Sequence, residues 1–247
     1  MHHAGYRALG LPFTYFPFKV TNLADAMRGM RALGIRGLGI SMPFKQAVIP
    51  LLDEIEPMAS RIGAVNTVVN ENGRLIGHNT DWRGAVLALE EATSLRSRRV
   101  LLLGAGGAAR AIAFGLCERG AELTIANRDA SKAEQLAAEF GCTAAPLLDV
   151  FQNDYEVIVN ATSLGMNNVD ARSPVPEDVL NAGRVVMDIV YNPLSTELFK
   201  AAHRRGATAI HGGRMLLHQA AEQFRLYTGQ QAPLGAMDEA LRTQLVD

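Results

Sequence analysis

The sequence predicts an α/β protein built on a doubly wound, mostly parallel sheet, and three observations carry that expectation. Strand-like and helix-like segments alternate from Leu23 to Ile189, a pattern that covers a parallel sheet with helices on both faces. A continuous apolar run, Arg99 to Leu103, leads straight into glycines and then a helical segment. Short polar motifs, Ser41 to Gln46, Gly63 to Thr67 and His78 to Asp81, cluster ahead of that unit.

Composition narrows the class. The 247 residues are 48% hydrophobic and 20% charged, an ordinary globular balance with enough length for two small cores or one large one. A net charge of -1 gives no electrostatic case for nucleic acid or membrane binding, so an anionic ligand must be met by a local cluster. No apolar run reaches the ~18 residues of a membrane span. The cysteines, Cys117 and Cys142, lack metal-ligand spacing and are too few for a disulfide framework, and the chain opens without a signal segment. A reducing cytoplasm is expected. The six histidines are dispersed with no helical i, i+4 pair, so no metal site is expected.

The first eighty residues read as a helix at Leu23 to Leu33 and strands at Gly37 to Ile40 and Val65 to Val69, forming a mostly parallel sheet. Pro43 stands at or just inside a helix start, where its preset φ and missing N–H cost nothing, so the helix carrying Lys45 begins at once. Lys45 would then project near the carboxyl end of a strand, where open α/β sheets bind ligands. Lys45 and Asp81 are the strong acid/base pair of this region. Asn66, Thr67 and the Asn79-Thr80-Asp81 triplet carry short groups suited to a polyhydroxylated ligand. The alternative for the triplet is that Asp81 caps a helix over Trp82 to Glu91.

From Arg99 the unit Val-Leu-Leu-Leu-Gly-Ala-Gly-Gly-Ala-Ala-Arg110 has the order strand, glycines, helix. Gly104 makes the tight turn, Gly106 admits a pyrophosphate to the backbone, and Ala109 allows close helix packing. Unpaired N–H groups at the helix start meet the phosphates. A second strand, Glu122 to Ala126, ends in Asn127-Arg128, with Lys132 on the next helix, where an NAD site would carry an acidic residue. Two cations there suit a 2′-phosphate, which favours NADP; Asp129 speaks for NAD or for a helix cap. Strands at Glu156 to Asn160 and Arg184 to Ile189 end in small polar loops holding Thr162, Ser163, Met166 and Tyr191, where a nicotinamide half would lie. Ordinary turn chemistry explains each of these equally well. The chain closes with His211-Gly212-Gly213 and a helix in which Met215, Leu216, Gln219, Glu222, Gln223 and Leu226 recur at helical spacing, then a short helix from Leu234 to Leu245. The Gln219 amide can bond a hydroxyl.

In these motifs the chain resembles the shikimate dehydrogenase family from about Met1 to its end. The resemblance rests on Pro43-Phe44-Lys45, Ala64 to Thr67, Asn79 to Asp81, Gly104 to Ala108, Asn127-Arg128, Asn160 to Ser163, and Met215-Leu216 with Gln219. It implies reversible oxidation of shikimate to 3-dehydroshikimate with NADP, in a cleft between two domains. One is a Rossmann-type NADP-binding domain over 84–213; the other is a smaller α/β substrate domain over 1–83 with 214–247. It implies that Lys45 and Asp81 act at the oxidised hydroxyl and that Asn66 and Gln219 hold substrate hydroxyls. Ser41 and Tyr191 lie on the substrate side. Gly104, Ala105, Gly106, Gly107, Ala108, Asn127, Arg128, Lys132, Thr162, Ser163, Met166, Gly212 and Met215 are placed around the cofactor. A homodimer is compatible with the resemblance.

Three departures stand out. The family's opening strand and its Ser-x-Ser-Pro segment, whose serines grip the substrate carboxylate, have no counterpart before Met1-His2-His3, which predicts exposed sheet edges and a weakened domain. Gly39 and Ser41 replace an asparagine and a threonine, as in the shikimate-dehydrogenase-like paralogues. Asp129 replaces a threonine of the phosphate clamp. The alternatives are therefore a quinate or aminoshikimate dehydrogenase, or a non-catalytic NADP-binding regulatory paralogue.

Overall fold

The computed structural model describes residues 1–166 and 170–244 and divides into two compact units, residues 1–81 with 219–244, and residues 82–218.

The first unit holds helices at His2–Ala8, Leu23–Ala32, Phe44–Ala47, Pro57–Ile62 and Leu234–Gln244 around strands β1 (Gly37–Gly39), β2 (Glu54–Ile55), β3 (Thr67–Glu71) and β4 (Arg74–His78). Its helix ends follow local chemistry. The Asn22 side chain accepts from Asp25 N at 3.1 Å to start one helix; Glu56 accepts from Met58 N and Ala59 N to start another, which Gly63 ends in the left-handed conformation.

The expected parallel arrangement of this region is corrected by the strand pairing. In the order β1-β3-β4-β2, β3 is antiparallel to both β1 and β4, and only β2 and β4 run parallel. Asn72 and Gly73 take positive φ between β3 and β4, closing a two-residue hairpin that the twist of antiparallel strands favours. The Phe44 helix is a single turn. Pro43 is its N-cap, at the helix start, and the helix gives way to a 3-10 turn at Ile49–Leu51. Met27, Met30, Val48, Val65, Val68 and Leu75 fill the core.

The second unit contains β5 (Arg99–Leu103), β6 (Glu122–Ala126), β7 (Thr143–Ala144), β8 (Val157–Asn160), β9 (Val185–Asp188) and β10 (Thr208–Ile210). Their order is β10-β9-β8-β5-β6-β7, and every neighbouring pair is parallel. This is the doubly wound arrangement, in which the chain reverses its direction of progress between β5 and β8. Side-chain alternation explains why both faces need cover: Val100 and Leu102 enter one core with Ile112, Leu116 and Leu136, while Leu101 and Leu103 enter another with Val186, Leu198 and Ala202. Helices Gly107–Glu118, Ala130–Phe140 and Glu197–Arg204 supply that cover.

Candidate functional site

In the first unit the hairpin creates the polar centre. Its register pairs Thr67 with His78, so the residues just outside it, Asn66 on one side and Asn79-Thr80-Asp81 on the other, meet at one end of the sheet. Asn66, 3% exposed, is the hub. Its Nδ2 donates to Asp81 Oδ1 at 2.8 Å and to Thr80 Oγ1 at 3.0 Å, while its Oδ1 accepts from Thr80 N at 2.7 Å and Thr67 Oγ1 at 2.8 Å. Asp81 turns its other oxygen, Oδ2, to Lys45 Nζ at 2.6 Å, with the two side chains 8% and 17% exposed. A pair so far out of water needs the extra bonds that Asn66 supplies.

Both carboxylate oxygens of Asp81 are engaged across the site. Asp81 is the first residue of the helix Asp81–Glu90, and its backbone N–H donates to Asn79 Oδ1 at 3.0 Å. That leaves its carboxylate for Lys45 and Asn66. From the helix Gly212–Thr228, Gln219 Oε1 stands 3.4 Å from Asn66 Nδ2 and 3.3 Å from Thr80 Oγ1. The structure thus gathers Lys45, Asn66, Asp81 and Gln219. Ser41 is exposed and outside this group, its Oγ 3.5 Å from Met42 O. Sequence reasoning named Thr80 only as a group suited to a polyhydroxylated ligand and gave no role to Gln223. The latter donates to Thr67 Oγ1 at 3.0 Å, and its position four residues after Gln219 was the available signal.

In the second unit the candidate cofactor residues lie at the carboxyl ends of the strands. Gly104 ends β5 with φ +113, and a Cβ there would come within 2.8 Å of Ala161 O, so only glycine fits between the two strand ends at the switch point. Gly106 is the N-cap of Gly107–Glu118 and gives that helix no side-chain cap, while the space over its Cα is open. Ala105, Gly107 and Ala108 stand beside it, Ala105 and Ala108 half-buried. An uncapped helix start with open space above it fits a pyrophosphate.

At the end of β6, Arg128 is exposed. Asn127 turns its amide to Asp129 O at 3.0 Å, and Asp129 is engaged by Ser131 Oγ at 2.7 Å and by Lys132 at 3.6 Å. The Ser131 bond holds the Asp129 carboxyl below its ordinary range. Asp129 is the N-cap residue of the helix Ala130–Phe140, with its carboxyl turned toward Ser131 and Lys132, so the position is that of the cap reading. Lys132 carries an exposed partner worth little and easily exchanged for a phosphate, and Arg128 is a second exposed cation beside it in sequence. The residues present fit NADP.

The remaining candidates separate. Thr162 is held inside its own loop by Asn160, Ser163 is exposed, and Met166 N bonds Ser163 O at 3.2 Å. Tyr191 is 49% exposed in the loop after β9. Gly212 opens the helix Gly212–Thr228, and Met215 is buried in the core with Ile210 and Met187.

The comparisons with known proteins cover the whole chain. Residues 1–68 match the shikimate dehydrogenase substrate binding domain, residues 86–190 the shikimate/quinate 5-dehydrogenase domain, and residues 212–242 the shikimate 5′-dehydrogenase C-terminal domain. A shikimate dehydrogenase (NADP(+)) of Thermococcus kodakarensis is 46% identical over 96% of this chain and 88% of its own. Among solved structures, a shikimate dehydrogenase in complex with NADP+ superposes with a TM-score of 0.93 at 38% identity, over 100% of this chain and 90% of that one. The shikimate 5-dehydrogenase of Thermus thermophilus, in complex with NADP(H) and shikimate, does so with a TM-score of 0.90 at 37% identity, over 98% and 92%. The chain belongs to the shikimate dehydrogenase family.

Proposed function

We propose that the protein catalyses the reversible oxidation of shikimate to 3-dehydroshikimate with NADP. The observation that carries this reading is the Lys45 Nζ to Asp81 Oδ2 bond of 2.6 Å, nearly out of water and braced by Asn66. NADP, when bound, supplies the acceptor for the hydride that leaves the carbinol carbon. As the C=O bond forms from the O–H electron pair, the hydroxyl proton must go to a base. Lys45, entering the step as the free amine, takes it in the oxidation direction and returns it in reduction, while Asp81 orients Lys45 and bonds the same hydroxyl. A positioned group of this kind contributes ~10² to 10⁴ in rate. Asn66 fixes Asp81 and, with Gln219, presents amide groups to the neighbouring hydroxyls. The Gly104–Ala108 turn and its helix start hold the pyrophosphate, and Arg128 with Lys132 the 2′-phosphate.

A binding module has no use for a buried Lys–Asp pair, which supports the enzyme over the regulatory alternative. The same proposal places the protein in the cytoplasm, where free thiols such as Cys117 and Cys142 persist. Among the described residues, no helix is long and apolar enough to cross a membrane.

The test is the initial rate of NADP reduction with shikimate and, separately, quinate. Turnover with shikimate is expected, and Lys45→Ala is expected to lose ~10² or more of kcat while still binding substrate. Full turnover by a Lys45→Ala protein that binds shikimate would refute the assignment of the base. A faster rate with quinate would replace the substrate.

A further inference from the structure

Asp188, the last residue of β9, is 2% exposed, and no cation pairs with it among the described residues. Three donors converge on it instead: Thr196 Oγ1 at 2.6 Å, Asn160 Nδ2 at 3.0 Å and Val190 N at 3.1 Å. Burial pushes its carboxyl above the ordinary range despite those bonds. A buried carboxylate without a counter-ion is costly, and a short apolar side chain would fill the space without that penalty. What only a carboxylate does here is accept from several directions at once.

Those directions lead into two loops. Asn160, the last residue of β8, donates also to Leu164 O at 3.1 Å, and its Oδ1 accepts from Thr162 N at 3.0 Å and Thr162 Oγ1 at 2.7 Å. Asp188 therefore fixes the Asn160 amide, and the Asn160 amide fixes residues 162–164. On the other side Val190 N and Thr196 Oγ1 tie down the segment after β9, and Thr196 also caps the helix Glu197–Arg204 through Phe199 N at 3.2 Å. Gly165 lies against both: a Cβ on it would stand 3.3 Å from Thr196 and 3.6 Å from Asp188 Oδ2. Both loops leave the carboxyl ends of β8 and β9, beside the switch point, on the side of β5 opposite the Asn127–Lys132 segment that follows β6.

We propose that Asp188 is a positioning residue for the nicotinamide half of the cofactor, acting through Asn160 and Thr196 to hold residues 162–165 and 190–196 in one arrangement. The inference rests on the dehydrogenase reading above. In a doubly wound sheet a dinucleotide lies across the switch point, so loops after β8 and β9 face one half of it and the end of β6 the other. The end of β9 is three strands from that of β6, about 14 Å at the usual strand spacing of about 4.8 Å. A change at Asp188 is therefore read by the nicotinamide half and not by the adenosine 2′-phosphate half.

The experiment compares kinetics with binding of 2′,5′-ADP, a probe of the adenosine half alone. Asp188→Asn turns one acceptor into a donor facing donors. Its kcat/KM for NADP is expected to fall roughly ten- to a hundredfold, the scale of a small misplacement of a reacting group. Its affinity for 2′,5′-ADP should stay within about twofold, as for independent sites. Thr196→Val removes one of the three donors at nearly constant shape and should show the same split to a smaller degree, while Thr196→Ser, which keeps the hydroxyl, restores wild-type values. Wild-type kinetics in Asp188→Asn, or equal losses of NADP turnover and 2′,5′-ADP binding, overturn the inference. If Asp188→Asn does not fold, the absence of the split in Thr196→Val overturns it. A wild-type chain without turnover removes the dehydrogenase reading and this inference together; active wild type with an unaffected variant removes only the inference.

Discussion

Asn66→Ala empties the hub of the first unit's polar network, and the structure sets the size of the effect. Truncation strips a partner from the Thr80 N–H, the Thr67 hydroxyl and Asp81 Oδ1, all buried. Each buried polar group left unpaired costs about 1–3 kcal/mol, and water entering the vacated space recovers part, so a loss of about 3–5 kcal/mol is expected. Against the 5–15 kcal/mol that is usual for a folded domain, that is a large fraction of the total. With a urea slope of roughly 2–3 kcal/mol per molar, the midpoint followed by far-UV circular dichroism should fall by about 1–2.5 M. Hydrogen exchange at the Thr80 amide should speed up in step, because that N–H loses its acceptor. Residual enzyme should also turn over more slowly, since Asp81 keeps only its bond to Lys45. A midpoint shift below about 0.2 M, the size of an ordinary surface substitution, would refute the network as a stabilising element.

Two further outcomes follow from the charges of the second unit. On the proposed role of Arg128, Arg128→Ala should remove charge-assisted bonds to the 2′-phosphate worth about 1.5–3 kcal/mol, so KM for NADP should rise roughly ten- to a hundredfold while KM for NAD stays put; equal changes with both cofactors would show that Arg128 does not read the phosphate. Glu91 is bonded by Arg214 and by His218 Nε2 at 2.7 Å, and the Arg214 bond comes first in holding its carboxyl below the ordinary range. Because the folded-state value is the lower one, this cluster stabilises the fold above the ordinary carboxylate pKa, and that contribution is lost as pH falls through the depressed value. Glu91→Gln should therefore lower Tm at neutral pH and lose its effect in acid. The group is partly exposed, so the difference should not exceed about 1 kcal/mol. An effect that grows on acidification would contradict the sign.

Local pattern made some parts of this protein readable in advance. The unit from Arg99 to Arg110 is contiguous, so strand, turn and helix start are all encoded within one short stretch, and the structure finds Gly104 wedged against Ala161 O at the switch point. Alternation along β5 shows which side chains face each core for the same reason. The first unit was harder. Alternating helices and strands suggested parallel pairing, yet Asn72-Gly73 between two apolar runs is a hairpin signal, and that short-range chemistry outweighed the longer pattern. Short strands such as Glu54–Ile55 and Thr143–Ala144 have no periodicity to read.

The sequence by itself determined the fold class and the family, and singled out Lys45 and Asp81 as a pair, because these depend on residue types at fixed local spacing. Only the tertiary structure decided that Asp81 turns its carboxylate to Lys45 and Asn66 rather than to its own helix. It alone gave Gln223 a place in the network and brought Asp188 to the loops beside the switch point. The physical reason is that a hydrogen bond has a required distance and direction. Asn66 and Gln219 are 153 residues apart, and whether they meet depends on strand register and helix phase, which no spacing along the chain records.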